Sequence, residues 1–245
     1  PASTGMAEYF LTPLDYIIPI PESQISQEEF VQAQQLGTVL YAAKFLSTNV
    51  LGRTVAIVGQ GSAGLYWAWM LRRLGARRVV AIDQLAHRLV LPRRYGATDL
   101  IDSSQDDPVA GLRDLTDGRM ADLVIEAAGE EDAVRLAFDM VRNHGEVICF
   151  GIPHFQDMAI DYYRFFRKYL RVKCVAGSTD DPGQQVPRQA VELIADGTID
   201  VKPLITHRFN FDRVMEAYEL HHTKDDGAIK IVVNMPEDTP LKPPT

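Results

Sequence analysis

The sequence predicts an α/β protein built on a doubly wound parallel sheet, with segments of a different pattern on either side. Three observations carry this. From residue 53 to residue 178, short apolar runs alternate with helix-like segments. Most of those runs are continuously apolar, as strands covered by helices on both faces must be. The run Thr54-Val-Ala-Ile-Val58 leads into Gly59-Gln60-Gly61-Ser62-Ala63-Gly64, and a second run, Val79-Val-Ala-Ile82, ends on Asp83. That is the order strand, tight turn, helix, strand, acid.

Taken in order, residues 7–20 read as a strand and a turn, and 27–47 as a helical connector. The pattern predicts strands over 54–58, 78–82, 100–102, 122–127, 146–150 and 170–176. Helices are predicted over 63–74, 85–95, 107–115, 131–142 and 162–168. Gly75, Gly96 and Gly145 fall where helix C-termini call for a residue tolerant of positive φ. A repeated β-α order with right-handed crossovers yields the doubly wound sheet. Beyond it come a helix at 187–195, a short run at 204–209, a helix at 211–221 and a last strand at 228–234. The tail 236–245 carries four prolines and reads as disordered. The expected division is 1–36, 37–180, 181–235 and the tail.

At 245 residues the chain is long enough for one large domain or two smaller ones with a substantial core. Its net charge of −8 argues against a nucleic-acid partner. No apolar run approaches the roughly 20 residues that span a bilayer, and no charged-then-apolar leader is present, so no membrane partner is expected. Only Cys149 and Cys174 occur, each within an apolar run, and they read as buried free thiols of a cytoplasmic protein, with a disulfide as the alternative. The chain opens at Pro1 without a methionine, which points to processing or an excised piece.

The glycine turn supplies what a dinucleotide needs. Gly59 begins the bend, Gly61 lets the backbone approach a pyrophosphate, and Gly64 allows the helix to pack tightly on the strand. The helix start, at Ser62 and Ala63, offers unpaired N–H groups and the positive end of its dipole. Asp83 follows at roughly the 20-residue spacing where a carboxylate accepts from ribose hydroxyls. A carboxylate there welcomes a 2′-hydroxyl and repels a 2′-phosphate, so NAD(H) is expected over NADP(H).

With these parts the sequence resembles the medium-chain dehydrogenase/reductase superfamily, of the alcohol, sorbitol and threonine dehydrogenase type. The resemblance also rests on Asp122-Leu-Val-Ile-Glu-Ala-Ala-Gly129, Gly145-Glu-Val-Ile-Cys-Phe-Gly-Ile-Pro153, Leu204-Ile-Thr-His-Arg-Phe209 and Gly227-Ala-Ile-Lys-Ile-Val-Val233. It implies a Rossmann sheet flanked by remnants of a GroES-like catalytic domain, of which residues 7–30 would be the end. The Gly-His-Glu motif and the four-cysteine lobe of zinc members are not found. The third metal ligand would fall near Gln34, whose amide is a poor zinc donor, so a catalytic zinc is doubtful and no metal ligand is assigned.

The resemblance further implies a set of cofactor contacts. Arg88 would lie near the adenosine ribose, with a solvated helix residue as the rival reading. Ala127, Ala128 and Gly129 would flank the adenosine half. Gly151 and Ile152 would set backbone groups against the nicotinamide carboxamide. Thr38 would pack near the nicotinamide, or else bond within its own helix. Lys230 would reach the pyrophosphate, or else be a plain strand-edge lysine. Tyr66, Trp67 and Trp69 read as packing against a neighbouring helix or subunit, and His207 as structural. His221 and His222 read as solvated.

The implied activity is that of an NAD(H)-dependent oxidoreductase acting on a small alcohol or carbonyl compound, with this chain mainly its cofactor-binding portion and inactive alone. An isolated NAD(H)-binding module, or a noncatalytic homologue, is the alternative. A homodimer formed by pairing the 170–176 edges of two sheets is expected.

Overall fold

The computed structural model describes residues 11–236; the remainder of the expected tail and residues 7–10 lie outside the described residues. The chain divides into two compact units, Gln34–Asp181 and a second drawn from Pro1–Ala33 and Pro182–Thr245.

The larger unit holds a six-stranded parallel sheet: β1 (Thr54–Val58), β2 (Arg78–Asp83), β3 (Asp99–Asp102), β4 (Ala121–Glu126), β5 (Val141–Cys149) and β6 (Arg171–Cys174). Their order is β3-β2-β1-β4-β5-β6. The chain runs outward from β1 through β2 to β3, then returns to the other side of β1 as β4. Every residue of β1 is buried, because it lies inside the sheet with helices on both faces. Val80, Ile82, Leu112, Val124, Met140 and Val147 are fully buried in one core cluster.

The helices crossing between strands are α3 (Ser62–Arg73), α4 (Pro108–Leu115), α5 (Glu131–Met140) and α6 (Tyr162–Arg167). Asp107 caps α4 by accepting from Val109 N, and Asp161 caps α6 by accepting from Arg164 N. Helix α3 is buried from Ser62 to Leu71. Trp67 meets Phe150, at the end of β5, edge to face at 5.6 Å. Trp67 is fully buried within the chain, so of the two expected partners a neighbouring subunit is not the one it meets.

Several sequence expectations change. The connector splits into α1 (Gln27–Phe30) and α2 (Ala33–Ala43), separated by a turn in which Gln32 N–H bonds Glu29 O. Residues 85–95 form two 3-10 turns, Ala86–Leu89 and Pro92–Tyr95, since Pro92 cannot donate to a helical ladder and its ring crowds the preceding turn. Gly75 and Gly96 have positive φ as expected, but at the third position His144 takes the left-handed conformation. Gly145 is instead required by space, because a Cβ there would lie 2.4 Å from Val141 Cγ2 and 2.9 Å from Arg142 O. Cys149 is half-buried and Cys174 exposed, not both buried, because β6 is the end strand of the sheet.

The loop after α2 is tied to the sheet by one acid. Glu146, with a fully buried side chain, accepts from Ser47 N and Thr48 N at 2.7–3.1 Å, and Lys173 Nζ stands 3.4 Å away. Burial works to raise its pKa, but these donors prevail and hold it below the usual carboxylate range.

In the second unit, β7 (Ile205–Asn210) pairs in parallel with β8 (Lys230–Asn234). Ser26 and Glu29 form a capping box at the start of α1. Helix α7 (Gln185–Ala195) buries Val186, Ala190, Val191 and Ile194, which share one helical face. Residues 14–16 form a single 3-10 turn, and no strand occurs among 11–20. His221 and His222 are exposed on α8 (Val214–Thr223). His207 Nε2 stands 3.3 Å from Asp226. No helix among the described residues is long and apolar enough to cross a membrane.

Candidate functional site

In an open sheet of this order, ligands sit where the chain reverses direction across the sheet, here beyond the carboxyl ends of β1 and β4. Two turns meet at that place. The first follows β1. Gly59, at φ 95°, donates its N–H to Ile82 O and turns the chain out of the sheet. A Cβ on Gly64 would lie 2.0 Å from Gly59 O, so α3 can leave the turn at this close range only with glycine there. Gly61 is the N-cap of α3 and supplies no side-chain cap. The N–H groups of the first turn therefore face outward with the positive end of the helix dipole behind them.

Asp83 fixes this turn from the neighbouring strand. Its Oδ2 accepts from Gln60 N at 2.6 Å and its Oδ1 from Leu85 N at 2.9 Å. Asp83 as a residue is 7% exposed, and each carboxylate oxygen keeps a lone pair for a further donor. Arg88 lies over the same turn, with Nη1 3.9 Å from the position a Cβ on Gly61 would occupy. Its buried Nε has no hydrogen-bond partner. An uncapped helix start, a glycine that would admit backbone contact, and a cation with an unmet donor form a cradle suited to phosphate oxygens.

The second turn follows β4 and backs onto the first. Ala128 N lies 3.0 Å from where a Cβ on Gly59 would sit, and Ala127 N–H donates to Val58 O. Glu126, 1% exposed, accepts on Oε1 from Ala128 N and Gly129 N, both at 2.7 Å. Its main-chain carbonyl accepts from Phe150 N and Gly151 N. Burial raises the Glu126 pKa, with the Gly129, Ala128 and Gly151 amides opposing and the charge of Glu130 adding to it. Gly129 and Gly151 are in contact, since a Cβ on Gly151 would meet Gly129 N at 2.1 Å and one on Gly129 would meet Ile152 O at 2.1 Å.

The structure thus brings Gly59, Gly61, Ser62, Ala63, Gly64, Asp83, Arg88, Ala127, Ala128 and Gly129 to one place, with Gly151 against Gly129. The Gly151 N–H is taken by Glu126 and so is not free for a carboxamide; the Ile152 side chain is 82% exposed. Thr38 Oγ1 donates to Gln34 O at 3.0 Å, the rival reading in which it bonds within its own helix. Lys230 belongs to the other unit, where it opens β8 and burial lowers the pKa of its ammonium group.

Three contributors receive no role from the sequence: Glu126 and Gln60, although both lie inside the stretches that carry the resemblance, and Gln35, which lies outside them. Glu126 holds the second turn. Gln60 is fully buried and donates its amide to Ile57 O, and Gln35 Oε1 accepts from Ser62 Oγ at 2.5 Å, joining α2 to the glycine turn. An acid directly after the apolar run Leu123-Val-Ile125 is the signal that could have found Glu126.

For a metal, the donors do not fit. Among the described residues no group of three or more His, Cys, Asp or Glu side chains could hold one. The Gln34 amide donates to Thr38 Oγ1 at 3.3 Å instead.

A family profile described as Zinc-binding dehydrogenase matches residues 63–196. The L-threonine 3-dehydrogenase of Bacillus licheniformis is 31% identical over 229 residues, covering 92% of this chain and 64% of that protein. Sorbitol dehydrogenase 1 of Saccharomyces cerevisiae is 27% identical, covering 97% and 66%. The chain thus spans 64–66% of the length of these curated relatives. Among solved structures, a protein described as a zinc-binding dehydrogenase from Sinorhizobium meliloti 1021, bound to NADP, superimposes with a TM-score of 0.80 at 26% identity, covering 94% of this chain and 65% of that one. The alcohol dehydrogenase TADH from Thermus sp. ATN1 gives 0.77 at 25%, covering 89% and 62%.

Proposed function

Because the chain belongs to the zinc-binding dehydrogenase family, we propose that its larger unit is the NAD(H) site of an oxidoreductase acting on a small alcohol or carbonyl compound. The observation that carries this reading is the uncapped start of α3 at Gly61, with Asp83 bonded to the adjacent Gln60 N–H and Arg88 Nη1 close to Gly61. The bound nicotinamide would supply the hydride chemistry. The chain's own work is binding and orientation. The N–H groups that begin α3 and the Arg88 guanidinium hold the pyrophosphate, and the free lone pairs of Asp83 accept from the adenosine ribose. The Glu126 clamp keeps the second turn rigid beside them. No step is assigned to a metal, given the donor set.

The Sinorhizobium relative is bound to NADP. Here the charge of Asp83 supports NAD(H), because a 2′-phosphate would face it at close range. Titrating the chain with NADH and NADPH, read by cofactor fluorescence, tests both parts. NADH is expected to bind at least about tenfold more tightly, a difference of about 1.4 kcal/mol. Asp83→Ser should narrow that gap. Equal affinities in the unaltered chain would overturn the preference, and failure of either to bind at millimolar concentration would overturn the site.

The chain is also proposed to dimerise by pairing β6 of one copy with β6 of another, since β6 ends the sheet. A monomeric sedimentation profile at micromolar concentration would refute this.

A further inference from the structure

Cys149 and Cys174 are the last residues of β5 and β6, and they are Cα partners in that parallel pair. Neighbouring strands lie about 4.8 Å apart, and directly opposed side chains of a parallel pair stand on the same face. That spacing is inside the range of about 4.4–6.8 Å between Cα atoms that a disulfide bridges. We propose that Cys149 and Cys174 form a reversible intramolecular disulfide on reaction with hydrogen peroxide, linking the carboxyl ends of β5 and β6.

The two thiols are not equivalent, and this sets the order of events. Cys174 is exposed and lines an open cavity of about 310 Å³ together with Tyr41, Phe45, Val175 and Asp180. Peroxide reaches it there. Cys149 is half-buried, and its thiol is pushed up to about 12 by burial first, then by the neighbouring Cys174 and Glu126 charges and a hydrogen bond with Cys174. Cys149 is therefore not the first thiol to react, and its place directly opposite Cys174 in the β5–β6 pair gives it the resolving role. The Cys174 thiolate attacks one peroxide oxygen, the O–O bond breaks, and hydroxide leaves, giving a sulfenic acid. The Cys149 sulfur then attacks the Cys174 sulfur while its proton is lost. The S–S bond forms, the S–O bond breaks, and the oxygen leaves as water. Two thiols and one peroxide become one disulfide and two waters.

Edge-to-edge pairing of β6 would not close this route, because such pairing uses main-chain groups while the Cys174 side chain stands off the sheet face.

The test uses the whole chain treated with excess hydrogen peroxide. Thiol titration should show both cysteines lost together. Peptide mapping should find residues 149 and 174 joined with the loss of two hydrogen atoms, and dithiothreitol should restore both thiols. Cys149→Ser should accumulate a dimedone-reactive sulfenic acid at Cys174. Cys174→Ser should leave Cys149 reacting more than about tenfold more slowly. Thiols that persist, oxidation of Cys174 alone in the unaltered chain, or a bond found only between two chains on a non-reducing gel would each overturn the proposal.

Discussion

The turns after β1 and β4 lie back to back, and each is held by a buried carboxylate, yet the two acids do different work. Asp83 reaches the first turn from the neighbouring strand, uses one lone pair of each oxygen on Gln60 and Leu85, and leaves the others open. Glu126 folds back on its own turn and spends Oε1 on two amides of the segment that follows it. A carboxylate arriving from outside a turn can serve both the turn and a ligand. One that bends back on its own turn becomes part of the frame.

The sharpest break should come from the glycines that let these turns touch. Gly64→Ala would drive a Cβ into Gly59 O, and Gly129→Ala would do the same at Ile152 O from a backbone already at φ 77°. Each should cost about 3 kcal/mol or more in chemical denaturation, because backbone rather than a flexible side chain must move. If either variant unfolds at the same midpoint as the parent, the contact assigned to that turn is wrong.

Next in size is the frame acid. Glu126→Ala leaves buried amides without an acceptor and should cost about 2 kcal/mol. Glu126→Gln keeps an acceptor and isolates the charge. The folded-state pKa of Glu126 is raised, so the protonated form persists in the folded chain after the unfolded chain has ionised. Its contribution is therefore full below the ordinary carboxylate range and is lost as pH rises from about 4 through the raised value. The stability of the parent relative to Glu126→Gln should fall across that window. Glu146 has the opposite sign, since its lowered pKa adds stability above the ordinary range that disappears as pH falls through the lowered value. To refute the distinction, the difference in denaturation midpoint between the parent and each Gln variant, followed from about pH 2 to pH 7, would have to move the same way for both acids.

The smallest effects on folding belong to the side of the first turn proposed to face the cofactor. Gly61 has open space around its missing Cβ, with Arg88 Nη1 3.9 Å away. Gly61→Ala should leave stability within about 1 kcal/mol while lowering dinucleotide affinity about tenfold, a loss of about 1.4 kcal/mol in binding. Arg88→Ala should leave the melting temperature nearly unchanged, weaken binding severalfold and flatten its salt dependence. An Arg88 variant with unaltered titration curves would return that residue to the plain solvated reading.

Much of this was legible in the chain itself. The continuously apolar runs at 55–58 and 79–82 read as parallel strands covered on both faces, which they are, and the glycine spacing and Asp83 marked the first turn. Helix ends signalled by Gly75 and Gly96 also came through, because each is a local event that a residue's own conformational range decides. The helix expected at 85–95 failed for an equally local reason, the missing donor of Pro92.

What the sequence by itself determined, then, is the order of elements, the bend at Gly59 and the acid waiting at the end of β2, all governed by periodicity and backbone freedom within a few residues. Only the tertiary structure decided that Glu126 is a clamp, that Gln35 supports Ser62, and that two cysteines far apart in the chain face each other across β5 and β6. Those relations depend on which strands become neighbours and in what register. Strand pairing is settled by burial summed over the whole sheet, and no single stretch of residues contains it.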